Sequence, residues 1–581
     1  MKFSLAALLT ATVTAVAHGS HSDKHGSHSD EPRFTHVLKH EPTSKPANWV
    51  REGDRFPDKA SFVELAIMLK VPDDGFRRLE SELLTRSNPK DDNYGNWLSN
   101  DEVHSIVAPD SSSIQAVGDF FQKHFPHRTL HQKTPNSDAF TIALTYLEAE
   151  ELLDTKYEGY LHRETKDSIF RASKFSLPVE IVDHVAVVGS TTRFPNALNK
   201  IFDTDDTRDK GEFDYNDPPT LRSLYSVDDA MGGQAPKNRQ AVTAFLGQFY
   251  SESDLKEFFD TQAPFAAGTP IGLVGDAITG DLAGVEAMLD IEYMPALGAN
   301  NPTEFWGFSG QSPNNADDEP FLTWLLTAGN TTDDEVPLVF STSYGEDEDT
   351  EVNTDYSDRI NVEFMKMGAR GISVLFASGD SGAAGTAIGN ACPGDKFVPK
   401  WPAGSPYVTA VGGTEGGKVK GGESCWSGSS GGFSNVFGRP SWQEDAVGAY
   451  VSLADADMPA SSFYNATGRG FPDISAAATE YPVVASGKTL PVAGTSCASP
   501  CAGGIFGLLN DARLEAGKGS LGFLNPMLYA NADAFNDVSS GVQGGCSATV
   551  KGFPAKSGWD AVTGLGSPNY EKLKDVVLAL P

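Results

Sequence analysis

From about residue 218 onward the chain repeats one pattern: a short apolar run, a glycine-rich turn, then a stretch with helical spacing. The runs Pro270-Ile271-Gly272-Leu273-Val274-Gly275, Val336-Pro337-Leu338-Val339-Phe340-Ser341, Ile372-Ser373-Val374-Leu375-Phe376-Ala377 and Tyr407-Val408-Thr409-Ala410-Val411 lack the polar alternation of a half-exposed strand. Strands with no polar face are buried on both sides, and strands alternating with helices imply a doubly wound, mostly parallel α/β sheet. Such a sheet presents its ligands to the loops beyond the carboxyl ends of the strands, so a site is expected there.

The stretch 45–200 reads differently, with little glycine and no cysteine. A strand at 65–69, an amphipathic helix at 76–85 and a strand at 140–144 predict a small α+β sandwich. Between 203 and 218 the chain is polar and turn-rich, which reads as an exposed linker whose cutting would separate two folded units. A length of 581 residues fits two such units better than one.

Chemistry enters at Gly494-Thr495-Ser496-Cys497-Ala498-Ser499-Pro500, followed by Ala502-Gly503-Gly504. A serine at a helix start is usually a cap, yet the free N–H groups there also favour developing negative charge. All 12 histidines lie at or before His184, so the C-terminal unit holds none. A Ser-His-Asp triad within that unit is impossible, as is a Cys-His pair using Cys497, and a nucleophilic Ser496 must take a carboxylate as its base. Glu286 and Asp290 stand four apart in the helical stretch 282–293 and so share one face. Asp380, in Ser378-Gly379-Asp380-Ser381-Gly382-Ala383, follows the strand at 372–377 at its carboxyl end.

These motifs together resemble the sedolisins, the serine-carboxyl peptidases with a subtilisin-like fold. The likeness rests on Gly-Thr-Ser-x-x-x-Pro, on Glu286-Ala287-Met288-Leu289-Asp290 and on Phe376-Ala377-Ser378-Gly379-Asp380-Ser381-Gly382-Ala383. Ser343-Tyr344-Gly345 and Gly431-Gly432-Phe433-Ser434-Asn435-Val436-Phe437 extend it across 218–581, and Asn93-Tyr94-Gly95-Asn96-Trp97 resembles the family's propeptide. By this resemblance Ser496 is the nucleophile, Glu286 the general base and later acid, Asp290 its partner, and Asp380 the oxyanion donor. The same resemblance implies one structural calcium ion near the C-terminus, held by Asp537, Val538, Lys556, Gly558 and Asp560 through carboxylate and carbonyl oxygens. Ala493 departs from the family, in which Ser commonly precedes Gly-Thr-Ser. Phe321-Leu322-Thr323-Trp324-Leu325 and Leu521-Gly522-Phe523-Leu524-Asn525-Pro526 direct the resemblance to the tripeptidyl peptidases. An endopeptidase with the same triad, or a catalytically dead calcium-binding homologue, would share these features.

Residues 1–17 have the charged start, apolar core and small-residue end, Ala15-Val16-Ala17, of a secretory signal, which points to secretion or to an acidic lumen. A His/Ser-rich segment follows at 18–44, then the propeptide at 45–200, a linker at 201–217 and the peptidase domain at 218–581. Asn330-Thr331-Thr332 and Asn465-Ala466-Thr467 are glycosylation sequons. Five cysteines allow at most two bridges, with Cys497 and Cys501 read as core residues and the pairing of the others left open. The net charge is −33, and from residue 211 on there are 46 Asp+Glu against 20 Lys+Arg. That balance argues against nucleic acid as a partner, and no apolar run is long enough to span a membrane. The expected partners are peptide and protein substrates and the chain's own propeptide, acting as inhibitor or chaperone.

Overall fold

The computed structural model describes residues 33–41, 49–163, 168–194, 201–202, 216–245, 248–276, 283–308, 320–348, 354–385, 392, 394, 396–417, 422–453 and 457–581. The signal-like residues 1–17, the segment 18–30 and the linker residues 203–215 lie outside them.

The N-terminal unit is built on a four-stranded antiparallel sheet of β1 (Phe62–Leu69), β2 (Leu130–Gln132), β3 (Ala139–Thr145) and β4 (Val185–Val188), in the order β2-β3-β1-β4. Along β1 the odd positions Val63, Leu65, Ile67 and Leu69 join a core with Val117, Phe120 and Phe121 of helix α1 (Ser111–His124). Met68 faces the other way, into the C-terminal unit's cluster with Leu322, Ile360 and Phe364. β1 thus alternates, with Val63, Leu65, Ile67 and Leu69 fully buried, Phe62, Glu64 and Ala66 partly buried, and Met68 buried in the second cluster. The helix predicted at 76–85 runs over Asp73–Ser87, with Asp73 and Asp74 in its first turn and Arg86 in its last, as the helix dipole favours.

The C-terminal unit has an eight-stranded sheet. Its strands are β5 (Gln240–Ala244), β6 (Ile271–Gly275), β7 (Thr303–Gly307), β8 (Val339–Thr342), β9 (Ser373–Ala377), β10 (Thr409–Gly417), β11 (Gly422–Cys425) and β12 (Ile474–Ala477). The order is β6-β7-β5-β8-β9-β10, with β12 parallel and β11 antiparallel to β10. Strand order reverses beside β5, so the crevice of this doubly wound sheet opens above the carboxyl ends of β5 and β8. Two strand boundaries differ from expectation. β8 begins at Val339 because the Val336 N–H closes the preceding turn on Thr332 O at 2.9 Å and Pro337 has no N–H to give. β10 runs on to Gly417 because it turns back on itself as the hairpin with β11. One disulfide forms, Cys392–Cys546, with Cα atoms 5.3 Å apart, while Cys425, Cys497 and Cys501 are buried thiols.

Helix α2 (Thr354–Ala369) carries a buried charged cluster of the contact between the units. Its Arg359 lies 2.9 Å from Asp138 of the N-terminal unit and 2.6 Å from Glu363; Lys366 lies 3.4 Å from Asp138 and 2.7 Å from Glu363. All four side chains are buried. Burial alone would raise the Asp138 carboxyl, but Lys366 and Arg359 outweigh it and hold it well below the usual carboxylate range. A carboxyl lowered in the folded state stabilises that state above its unfolded pKa and loses the contribution as pH falls. In a full chain made inert by Ser496→Ala, the melting temperature should therefore fall as pH drops below about 4. Asp138→Asn leaves two buried cations short of one partner, so it should lower the melting temperature at neutral pH, by about 3–5 kcal/mol of stability, and should flatten the acid decline. An Asp138→Asn curve parallel to wild type would show that this group does not govern the decline.

Candidate active site

Four loops and helix ends converge above the carboxyl ends of β8 and β9. Helix α3 (Val285–Leu297) brings Glu286 in its first turn and Asp290 one turn on, both fully buried. The Gln248 side-chain oxygen accepts from the Glu286 N–H at 3.2 Å and so caps the helix start. Gly284 makes room for that cap, since a Cβ there would lie 2.2 Å from Gln248 Oε1. The loop after β8 supplies Ser343, whose hydroxyl donates to Asp290 Oδ1 at 2.9 Å and fixes the carboxyl's rotation.

Helix α4 (Thr495–Glu515) carries Ser496 as its second residue, 2% exposed. The Ser496 hydroxyl has no hydrogen-bond partner among the described residues. Pro500, inside the helix, has no N–H to give the Ser496 carbonyl, which leaves the first turn short of one helical bond. α4 and α3 lie side by side in near backbone contact. A Cβ on Gly504 would fall 2.5 Å from Met294 O and 2.7 Å from Gly298 N, and one on Gly503 would fall 3.0 Å from Met294 Cε. The small residues after the serine therefore set how closely the Glu286 and Ser496 turns approach.

Asp380 reaches the same place from β9. Its Oδ1 accepts from the Thr495 N–H at 2.7 Å and the Thr495 hydroxyl at 2.8 Å, and that hydroxyl in turn accepts from the Gly379 N–H at 3.0 Å. With Oδ1 taken by two donors, a proton on this carboxyl belongs on Oδ2. Glycine at 494 suits this oxygen, as a Cβ there would sit 3.0 Å from Oδ2. The Cys497 thiol reports the convergence: burial first, then the charges of Asp380, Glu286 and Asp290, push it well above its ordinary value. The bonds of Asp380 to Thr495 and the close packing of α3 on α4 bring Asp380, Glu286 and Asp290 to the helix that starts at Thr495-Ser496. Ser343 and Thr495 were visible only as letters of longer motifs, and Gln248 had no sequence signal, because its role depends on a contact 38 residues away.

The five residues read as a calcium site also lie together. Asp537 Oδ2 accepts from the Ser557 hydroxyl at 2.7 Å and the Gly558 N–H at 3.1 Å. Asp560 Oδ2 accepts from the Lys556 N–H and Oδ1 from the Val562 and Thr563 N–H groups, while the Thr563 hydroxyl lies 3.2 Å from Val538 O. Burial outweighs these hydrogen bonds and pushes the Asp560 carboxyl up to about 7. Two carboxyls, with backbone carbonyls of Val538, Lys556 and Gly558 in the same loops, form an all-oxygen donor set that suits a hard cation.

Comparison with known proteins agrees with this geometry. Residues 47–194 match the Pro-kumamolisin activation domain family and residues 319–520 the Subtilase family. Tripeptidyl-peptidase 1 of Rattus norvegicus is 35% identical over 547 residues, covering 92% of this chain and 94% of its own. The Homo sapiens protein of that name is 34% identical over 546 residues, with the same coverage. Tripeptidyl-peptidase SED4 of Arthroderma otae is 32% identical over 576 residues, covering 92% and 93%. Among solved structures, Pseudomonas sedolisin, a serine-carboxyl proteinase complexed with two molecules of pseudo-iodotyrostatin, shares the fold at a TM-score of 0.51 and 22% identity, covering 62% of this chain and 97% of its own.

The Ser343 bond to Asp290 makes a measurable prediction. A hydrogen bond to a charged group contributes about 1.5–3 kcal/mol, so Ser343→Ala should slow labelling of Ser496 by a serine-directed phosphonate probe by roughly ten- to a hundredfold. Ser343→Thr, which keeps the hydroxyl, should recover most of that rate. Equal labelling of wild type and Ser343→Ala would mean that the bond does not support the reactivity of Ser496.

Proposed function

The chain belongs to the sedolisin family of serine-carboxyl peptidases, and from that premise we propose that it is a secreted enzyme that acts in acid, removes its own N-terminal unit and releases tripeptides from free N-termini. The observation that carries the chemical part is a serine at a helix start whose preceding residue binds the Asp380 carboxyl and whose helix packs closely on the one carrying Glu286 and Asp290, in a unit that contains no histidine. Similarity along 92% of the chain to proteins named tripeptidyl peptidases supports the tripeptide product. A match of 47–194 to an activation domain supports the proenzyme, and the signal-like start supports export.

In this reading Ser496 Oγ attacks the scissile carbonyl and its proton passes to Glu286, which Asp290 orients. Asp380 donates a hydrogen bond from Oδ2 to the developing oxyanion while Thr495 holds Oδ1. The C–N bond then breaks, the leaving amine takes the proton from Glu286, and water resolves the ester by the reverse sequence. A carboxylate near its reference pKa of about 4.3 can accept a proton in acid, where a histidine near about 6.5 is already charged. Glu286 must be ionised and Asp380 protonated at the same moment, so the rate should follow a bell on the acid side. Losing one oxyanion donor costs roughly 10²–10³ in rate.

A long peptide digested in acid and followed by mass spectrometry tests the specificity. Tripeptides should leave in register from the free N-terminus, and acetylating that terminus should suppress cleavage strongly. Internal cleavage at equal rates with and without the acetyl group would instead identify an endopeptidase.

The calcium ion is proposed on the donor set alone. Asp537 and Asp560 would supply carboxylate oxygens, and Val538, Lys556 and Gly558 backbone carbonyls, so that the ion would join the loops around 537 and 556–560. A ligand bound only by the folded chain stabilises it by about 2.7 kcal/mol at a hundredfold excess over its Kd. Added calcium should accordingly raise the melting temperature of wild type and leave that of Asp560→Ala unchanged. If Asp560→Ala responds to calcium as wild type does, Asp560 is no ligand.

A further inference from the structure

Arg193, near the end of the N-terminal unit, reaches across into the C-terminal unit. It forms an ion pair with Glu346 and donates to the Tyr356 hydroxyl at 2.8 Å. Its guanidinium carbon lies 4.5 Å from the Tyr356 ring centroid, 5.8 Å from that of Trp401 and 5.9 Å from that of Phe321. A carboxylate beside aromatic faces is a guanidinium-binding arrangement, because the planar cation can stack and pair at once. From behind, Arg171 Nε donates to the Arg193 carbonyl at 2.6 Å and fixes the backbone that presents the side chain.

The two residues after Glu346 are matched within the C-terminal unit itself. Asp347 pairs with Lys400, and Glu348 accepts from the Ser434 hydroxyl at 2.6 Å and the Asn435 N–H at 2.7 Å. Glu346 is 4% exposed with Arg193 in place, so departure of the N-terminal unit takes its ion-pair partner away. Glu346 is also joined by sequence to the residues around Ser496. Glu346 follows Ser343, the residue bonded to Asp290, by three positions in one loop. Further along the covalent segment that carries Arg193, Ile201 and Phe202 pair antiparallel with Ala493 and Val492, just ahead of Gly494-Thr495-Ser496. One end of the segment is thus anchored at Glu346 and the other beside the strand that leads into Ser496.

We propose that Glu346, Tyr356 and Trp401 form a subsite for a guanidinium side chain on the acyl side of the bond to be cleaved, and that Arg193 occupies it in the proenzyme. The proposal rests on the peptidase reading above. It makes Glu346 a specificity-determining residue, and Arg193 an autoinhibitory plug that an arginine-bearing peptide can replace.

The probe is the acetylated and amidated pentapeptide Ser-Thr-Thr-Arg-Phe, the sequence of residues 190–194, tested as a competitor of the processed enzyme at pH 5. A citrulline version keeps the shape and loses the charge. The arginine peptide should inhibit on the order of tenfold more tightly than the citrulline peptide, and Glu346→Gln should erase the difference. Equal inhibition by both peptides, or an arginine preference that survives Glu346→Gln, overturns the subsite. A second measurement needs no activity: in the full chain with Ser496→Ala, melting of Arg193→Gln, Glu346→Gln and the double variant should be clearly non-additive. Additive effects would remove the pairing on which the proposal stands. A processed enzyme that cleaves no peptide would instead count against the peptidase reading, and the melting cycle would still decide the pairing.

Discussion

The approach of α3 to α4 is the contact on which the site depends. Gly503 and Gly504 let the two backbones meet, where a methyl group on Gly504 would fall 2.5 Å from the Met294 carbonyl oxygen. Side chains projecting from the first turns of two helices can reach one another only if the axes are this close. Glu286 and Asp290 on one helix and Ser496 on the other are positioned by that packing, not by a local motif. The alanines and glycines that follow the serine are thus part of the chemistry, although none of them carries a functional group.

Placing several carboxyls in one dry crevice would be unfavourable without partners, and each is handled differently. Asp290 receives the Ser343 hydroxyl, and Asp380 receives both donors of Thr495 on one oxygen. Glu286 sits in the first turn of α3, and its N–H donates to the Gln248 side-chain oxygen. Directing the Thr495 donors to one Asp380 oxygen leaves the other to carry a proton. A carboxylic acid can then act as a hydrogen-bond donor while another carboxylate a short distance away acts as base.

Contact between the units uses a different balance. Asp138 and Glu363 are matched by Arg359 and Lys366 in a buried cluster, and Met68 shares an apolar cluster with Leu322 and Ile360. Such a cluster holds while its acids are ionised and loses strength as they protonate.

Much of this was legible in the chain itself. The apolar runs pointed to a parallel sheet, and β8 and β9 are buried as expected, although β6 stands at the sheet's edge with Leu273 exposed; the missing histidines left a carboxylate as the base for a nucleophilic serine. The four-residue spacing of Glu286 and Asp290 puts them on one face of their helix wherever that helix packs. What the sequence left open were matters of distant contact: that Cys392 pairs with Cys546, that Gln248 caps α3, that Ser343 and Thr495 hold the two aspartates, and that Arg193 meets Glu346. Periodicity and local motifs record which face of an element is buried. They carry no information about which two faces meet, and that was decided by the packing of helices and loops over the carboxyl ends of β8 and β9.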